Sequence, residues 1–165
     1  MFNAGDEAIH PNYGRVVVEQ IEKEVIPDGI KTYMVVRVVN MNMKIMIPVD
    51  SIDEVGIRKL SSKPLIEETI NILKDDEVTL PKGSWNGMYR LHMEKIVSGD
   101  IRQVAKVIKG LLNKNTGKSP SVEDIKLLSC AKRILVGEIM VSEQIGEDKA
   151  TQLLNEYTHN SGLLL

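Results

Sequence analysis

The chain has 165 residues, 42% apolar and 27% charged, the make-up of an ordinary soluble globular protein with one large domain or two small ones. No apolar run approaches the ~20 residues that cross a bilayer, and no signal peptide precedes the first strand-like segment. A lone Cys130 excludes an intramolecular disulfide and fits a reducing cytoplasm. The net charge of −2 conceals an asymmetry, because residues 81–135 carry 11 Lys/Arg against 4 Asp/Glu, a local +7, between acidic neighbours. Such a block speaks about partners rather than fold, and both nucleic-acid contact and a solvated basic face account for it.

Residues 1–59 read as strands and turns. Gly5-Asp6, Pro11-Asn12-Tyr13-Gly14 and Pro27-Asp28-Gly29 punctuate runs rich in Val, Ile, Thr and Met at Arg15–Ile26, Lys31–Asn40 and Met43–Val49. Tyr33–Val39 is nearly continuous in apolar residues, as a strand packed on both sides would be. Pro48 suits a strand end or an edge. Four or five short strands in under 60 residues fit a small, strongly bent barrel of SH3 or Tudor type. His10 has no second metal-binding residue at ligand spacing, and barrels of this kind commonly recognise other proteins.

From Ser61 onward the apolar spacing becomes helical. Ser62-Lys63-Pro64 opens a helix through Leu73, with Glu67 and Glu68 expected in its first turn. Ser84 is placed to cap a helix containing Tyr89, Met93, Ile96 and Val97 that stops at Ser98-Gly99. Asp100 caps the next, whose inner side is Ile101, Val104, Val107, Ile108, Leu111 and Leu112. Ser121-Val122-Glu123-Asp124 reads as a capping box, and the helix after it buries Ile125, Leu128, Ala131, Ile134 and Leu135 and reaches Val141 or beyond. Cys130 lies in that helix as a small core residue. A last helix, Glu147–Tyr157, leads into an apolar tail, Ser161–Leu165, expected to fray. The fold class is α+β, with a β-barrel over residues 1–60 and a compact helical domain over 61–165.

Trp85 is the one tryptophan of an aromatic-poor chain. It sits in Pro81–Arg90, a turn opening the basic helical block, with Lys82 and Arg90 beside it. One reading makes it the core of a small helical domain. The other makes it an apolar wedge against a base step, flanked by cations that hold phosphates. The His residues and Cys130 lack ligand spacing, and no phosphate loop or nucleophile elbow is present, so no enzyme, cofactor or small-molecule substrate is expected. Asp75-Asp76-Glu77 reads as a solvated acidic loop.

The opening Phe2-Asn3-Ala4-Gly5-Asp6 and the turn Pro11-Asn12-Tyr13-Gly14 resemble the start of the CarD/CdnL transcription regulators. Trp85-x-x-x-Tyr89-Arg90, Glu94-Lys95, Ser98-Gly99-Asp100 and Ala131–Glu138 resemble the same family's helical domain, in the same order. The resemblance implies a bacterial, cytoplasmic, non-enzymatic protein whose barrel docks on the RNA polymerase β subunit. Its helical domain would lie on promoter DNA at the upstream edge of the melted bubble, with no membrane partner. It gives Trp85 the wedge role, in the minor groove and with low sequence specificity. Arg90 would hold a phosphate, with Tyr89, Lys82, Lys126, Lys132 and Arg133 as further contacts. Gly87 and Met88 stand where some relatives are basic. On the barrel, the polymerase-contacting arginines of some relatives fall on Glu24 and Met46, so docking would use different pairings, with Lys44, Arg15 and Pro48 as candidates. A protein-only adaptor with Trp85 in its core is the alternative.

Overall fold

The computed structural model describes residues 1–39, 41–83 and 85–159, with Trp85 and Asn86 described by their backbone alone. The expected Ser84 cap, the surroundings of the Trp85 ring and the Ser161–Leu165 tail lie outside the described residues.

The strands are β1 (Glu7–His10), β2 (Gly14–Ile26), β3 (Gly29–Val38), β4 (Met43–Pro48) and β5 (Arg58–Lys59). They form one antiparallel sheet in the order β4-β3-β2-β1-β5. It stays open where a barrel would close, so β4 and β5 are edges. Pro27-Asp28 makes the tight β2–β3 turn, which Ile26 and Gly29 close as a cross-strand pair. Period-two alternation builds the first core: Ala8, Val16, Val18, Met34, Val36, Val38, Ile47 and Ile57 are buried together. Glu19 bulges between the paired residues Val18 and Gln20, so even-numbered Val16 and Val18 face this core before the irregularity, while even-numbered Gln20 and Glu24 face away from it afterwards. Pro48 ends the edge strand β4, where its missing N–H costs no ladder bond.

A 3-10 turn at Val49–Ser51 and a four-residue helix α1 (Ile52–Val55) lead to β5. Then follow α2 (Lys63–Lys74), α3 (Trp85–Val97), α4 (Ile101–Lys114), α5 (Val122–Ser142) and α6 (Glu147–Tyr157). The caps fall as expected: Asp100 Oδ1 accepts from the Arg102 N–H at 2.9 Å, and Ser121 Oγ from the Asp124 N–H at 3.1 Å. Two expectations fail. Helix α2 begins at Lys63, so Glu67 and Glu68 lie beyond its first turn, which contains no acidic residue. Ile125 is 49% exposed, because it lies with exposed Val122 on the outer side of the start of α5, where Asp124, Leu127 and Leu128 are the residues turned inward. The other residues expected inside α4 and α5 are buried in the second core, except Cys130, which is half-buried against it. No described helix is long and apolar enough to cross a membrane.

Adjacent residues of β1 feed different cores: Ala8 belongs to the sheet core, and Ile9 to the helical one. Helix α5 reaches the sheet closely enough that side chains would obstruct it. A Cβ on Gly14, whose φ is +71°, would stand 2.8 Å from the Arg133 carbonyl oxygen, and one on Gly137 would stand 3.1 Å from the Arg15 backbone nitrogen. Glu138, with 1% of its side chain exposed, fastens this joint through an ion pair with Arg58. Its carboxylate also accepts from the Ser61 N–H at 3.0 Å and hydroxyl at 2.9 Å.

Candidate nucleic-acid interface

Helix α3 carries the centre of the basic block. Gly87, Arg90, Glu94 and Val97 line its exposed side, whereas His92 and Ile96 are buried and Met88, Tyr89 and Met93 half-buried. Arg90 stands in solvent, its Nε donating to Glu94 Oε1 at 2.9 Å. An exposed i,i+4 pair of this kind contributes roughly 0.3–0.5 kcal/mol, so a phosphate oxygen can replace the carboxylate at little cost. Lys82, in the loop before α3, is exposed. Tyr89 packs against the helical core, which fixes the first turns of α3 and leaves its ring only partly available. Lys126 is exposed on α5 beside Val122 and Ile125, and Lys132 is half-buried on the same helix. Arg133 has a structural partner: its Nη1 donates to the Asn12 carbonyl at 2.8 Å, tying α5 to the β1–β2 turn.

The five sheet residues come together on one face, the one opposite the sheet core. Strand pairing sets Glu24 opposite Lys31, Arg37 opposite both Val17 and Lys44, Val35 opposite Met46 and Tyr33 opposite Pro48. Alternation along β2 puts Arg15 on that face too. Its two ends differ in use. Arg15 is ion-paired to Glu7 at the end covered by α5, and its Nε is buried without a partner. Glu24, at the far end of β2, and Lys44 and Met46, on the edge strand β4, are exposed. Glu19 reaches two cations here, with 2.6 Å to Lys44 Nζ and 3.2 Å to Arg37 Nε. The Lys44 ammonium, and Arg37 after it, hold the Glu19 carboxyl below its usual value.

Other titratable groups singled out in the sequence, His10, Cys130 and Asp76, sit in structural surroundings. His10 Nδ1 accepts from the Asn12 N–H at 3.1 Å, its ring lies 4.8 Å from that of Tyr13, and burial pushes its pKa down to about 4. Burial raises the Cys130 thiol, opposite to what a nucleophile needs. Asp76 of the acidic loop takes the ammonium of buried Lys109 at 2.6 Å, and that bond holds its carboxyl below the usual value. Among the described residues, no three His, Cys, Asp or Glu are grouped to hold a metal. Sequence reasoning missed the Arg58–Glu138–Ser61 clasp and buried Lys109; a lone charge inside an apolar helical run marks Glu138 and Lys109 themselves, but not the groups they bond.

The geometry is therefore a sheet with one free face, a basic helix start and a rigid joint between them. Two family models match in the same order: the CarD-like/TRCF RID domain over residues 2–61, and the CarD C-terminal domain over residues 68–155. A Bacillus subtilis (strain 168) protein named "Putative transcription factor YdeB" is 28% identical over 149 residues, covering 89% of this chain and 95% of that protein. With both halves matched and the sheet-then-helices order they require, the chain belongs to the CarD-like family of transcription regulators.

Proposed function

We propose that the chain binds the RNA polymerase β subunit through the free face of its sheet, within residues 1–60. In the same reading, its helical part, 61–165, lies on promoter DNA at the upstream edge of the bubble and stabilises the open complex. It performs no chemistry, needs no cofactor, and works in the cytoplasm at the nucleoid. The observation that carries this reading is the pair of family matches in order, 2–61 and 68–155, over a structure in which one joint fixes both parts.

Trp85, at the first position of α3, is the wedge at the junction of duplex and bubble. Arg90 exchanges Glu94 for a phosphate, and Lys82 and Lys126 add exposed charge nearby. Tyr89 positions the helix, while Lys132 and Arg133 contribute from α5. An aromatic ring stacked on a base step is worth ~1–3 kcal/mol, and ~1.4 kcal/mol shifts an open–closed equilibrium tenfold. One side chain therefore suffices for regulation. On the sheet, Lys44, Met46, Pro48 and Glu24 form the docking face, and Arg15 supports it from beneath α5. DNA contact is to phosphate and groove shape, so binding to free DNA is weak, salt-sensitive and tolerant of sequence.

The test is the lifetime of open complexes at a single promoter, with the wild-type chain and with Trp85→Ala, together with gel shifts on junction DNA with and without polymerase. The expected result is a lifetime several-fold longer with wild type, lost in Trp85→Ala while the fold survives. Tight binding to one duplex sequence without polymerase, or a variant that matches wild type, refutes the reading. A variant that unfolds, with an indole inaccessible to acrylamide in the wild-type chain, supports the adaptor instead.

A further inference from the structure

Residues 75–83, between α2 and α3, form neither helix nor strand, and α4 supplies what holds them. Lys109 Nζ donates to Asp76 Oδ1 at 2.6 Å. Four residues on, Asn113 Nδ2 donates to the backbone carbonyls of Asp76 at 3.1 Å and Val78 at 2.9 Å. Gly110 receives Leu80 so closely that a Cβ there would stand 2.6 Å from Leu80 Cγ. Positions 109, 110 and 113 are neighbours on one side of a helix, so a single face of α4 seats residues 76–80.

The charged contact in this seat is lopsided. The Lys109 side chain is 1% exposed and that of Asp76 74%. The ammonium also donates to the Thr158 carbonyl at the end of α6, at 3.1 Å. Lys109 is thus fixed from two sides, and the loop, whose carboxylate already stands in water, is the part that can leave. What leans on the loop is the start of α3. Tyr89 ties α3 to the helical core, yet Met88, Tyr89 and His92 also line a cavity of about 510 Å³ shared with residues 79–83. The first turn of α3 therefore has open space beside it rather than close packing. Its support comes from the loop, where a Cβ on Gly83 would stand 2.6 Å from Met88 Sδ.

We propose, on the wedge reading of Trp85, that Lys109 and Asn113 are positioning residues: they strap residues 76–80 to α4, and the strap holds the start of α3 where DNA meets it. They act through Trp85 and not on DNA themselves.

The variants are Asn113→Ala and Lys109→Met, the second of which keeps the buried stem and leaves no buried charge, since Asp76 turns to water. Trypsin cleavage after exposed Lys82, in the full chain without DNA, reads release of the strap. It should quicken about tenfold in each variant, the population shift that one lost hydrogen bond produces, while urea midpoints show both chains folded. Open-complex lifetime at one promoter should shorten toward the Trp85→Ala value. Combined with Trp85→Ala, either change should shorten it no further, because nothing remains to be positioned; a merely structural role would shorten it again. Unchanged cleavage, unchanged lifetime, or a loss that adds to that of Trp85→Ala would each overturn the assignment. Both variants unfolding would overturn it too, and if one unfolds the other carries the test. An inert Trp85→Ala sinks the wedge reading and the strap's role with it. Wild-type lifetimes in the strap variants beside a defective Trp85→Ala sink the strap alone.

Discussion

Replacing Glu138 by Gln tests the joint directly. The carboxylate is almost fully buried, with 1% of its side chain exposed, and accepts from the Arg58 guanidinium and twice from Ser61. Gln keeps the size of Glu but carries no charge, and it presents one oxygen where Glu138 uses two. Breaking a buried ion pair by removing one partner costs ~3–5 kcal/mol, because the other charge stays behind uncompensated. Arg58 keeps 16% of its side chain in solvent, so water recovers part of that loss and the expected cost is about 2–4 kcal/mol. Arg58 would keep only two longer bonds, from Nη1 to the Lys59 carbonyl and to Ser61 Oγ at 3.2 Å each, while its Nη2 is buried without a partner. The assay is urea denaturation followed by circular dichroism, run on wild type, Glu138→Gln, Arg58→Met and the double variant. The double variant should recover more than ~1 kcal/mol relative to the sum of the singles, because it leaves no orphaned charge. A loss below ~1 kcal/mol in Glu138→Gln, with additive singles, would refute the claim that this contact fastens the two parts.

Three further outcomes are expected. His10 has a folded pKa of about 4 against 6.5 unfolded, so between those values the unfolded chain binds a proton that the folded chain refuses. Stability should fall from pH 6.5 to 4 by about 3 kcal/mol from this residue, and a urea-midpoint series should show a shallower slope in His10→Asn; equal slopes would count against it. Gly14→Ala puts a Cβ 2.8 Å from the Arg133 carbonyl at a φ of +71°, and should cost at least ~1–2 kcal/mol in the same urea assay, with α5 amides shifting in NMR. Arg90→Ala should change stability by less than ~0.5 kcal/mol, yet lower the salt slope of DNA binding by about one, measured by titration at several salt concentrations; an unchanged slope removes Arg90 from the interface.

What was legible in the sequence follows from how local its cause is. Helix α6 spans Glu147–Tyr157 as read, and α4 starts after Asp100, because caps and apolar spacing act within one or two turns. The strands follow from turn residues and alternation. Helix α1 and strand β5 were not anticipated, since four and two residues are too few to show a period. Ile125 was misplaced because α5 meets the sheet on one side and other helices on another. Its apolar residues therefore surround much of the helix, and spacing no longer singles out an inner side. The clasp was out of reach for another reason. Arg58 and Glu138 stand 80 residues apart, and no local rule links them. The candidate site divides in the same way: the register that puts Arg15, Glu24, Lys44, Met46 and Pro48 on one face follows from pairing, while the covering of Arg15 by α5 required the assembled fold.

The division of that face bears on how such a protein would act. One side of the sheet is spent on its own core, and the other is shared between α5 and whatever binds the free end. The direction of α3 relative to the free end is then set by packing at Gly14, Gly137 and Glu138, rather than by the few residues joining β5 to α2. A bridge between two partners gains from such stiffness, because holding one partner fixes where the second site can be, and a floppy joint dilutes that effective concentration. A rigid joint also meets the cost of orientation during folding instead of at binding. Loosening the clasp without unfolding either part should therefore weaken promoter engagement in the polymerase-bound state far more than binding to either partner alone. A surface of contacts working independently would show no such difference.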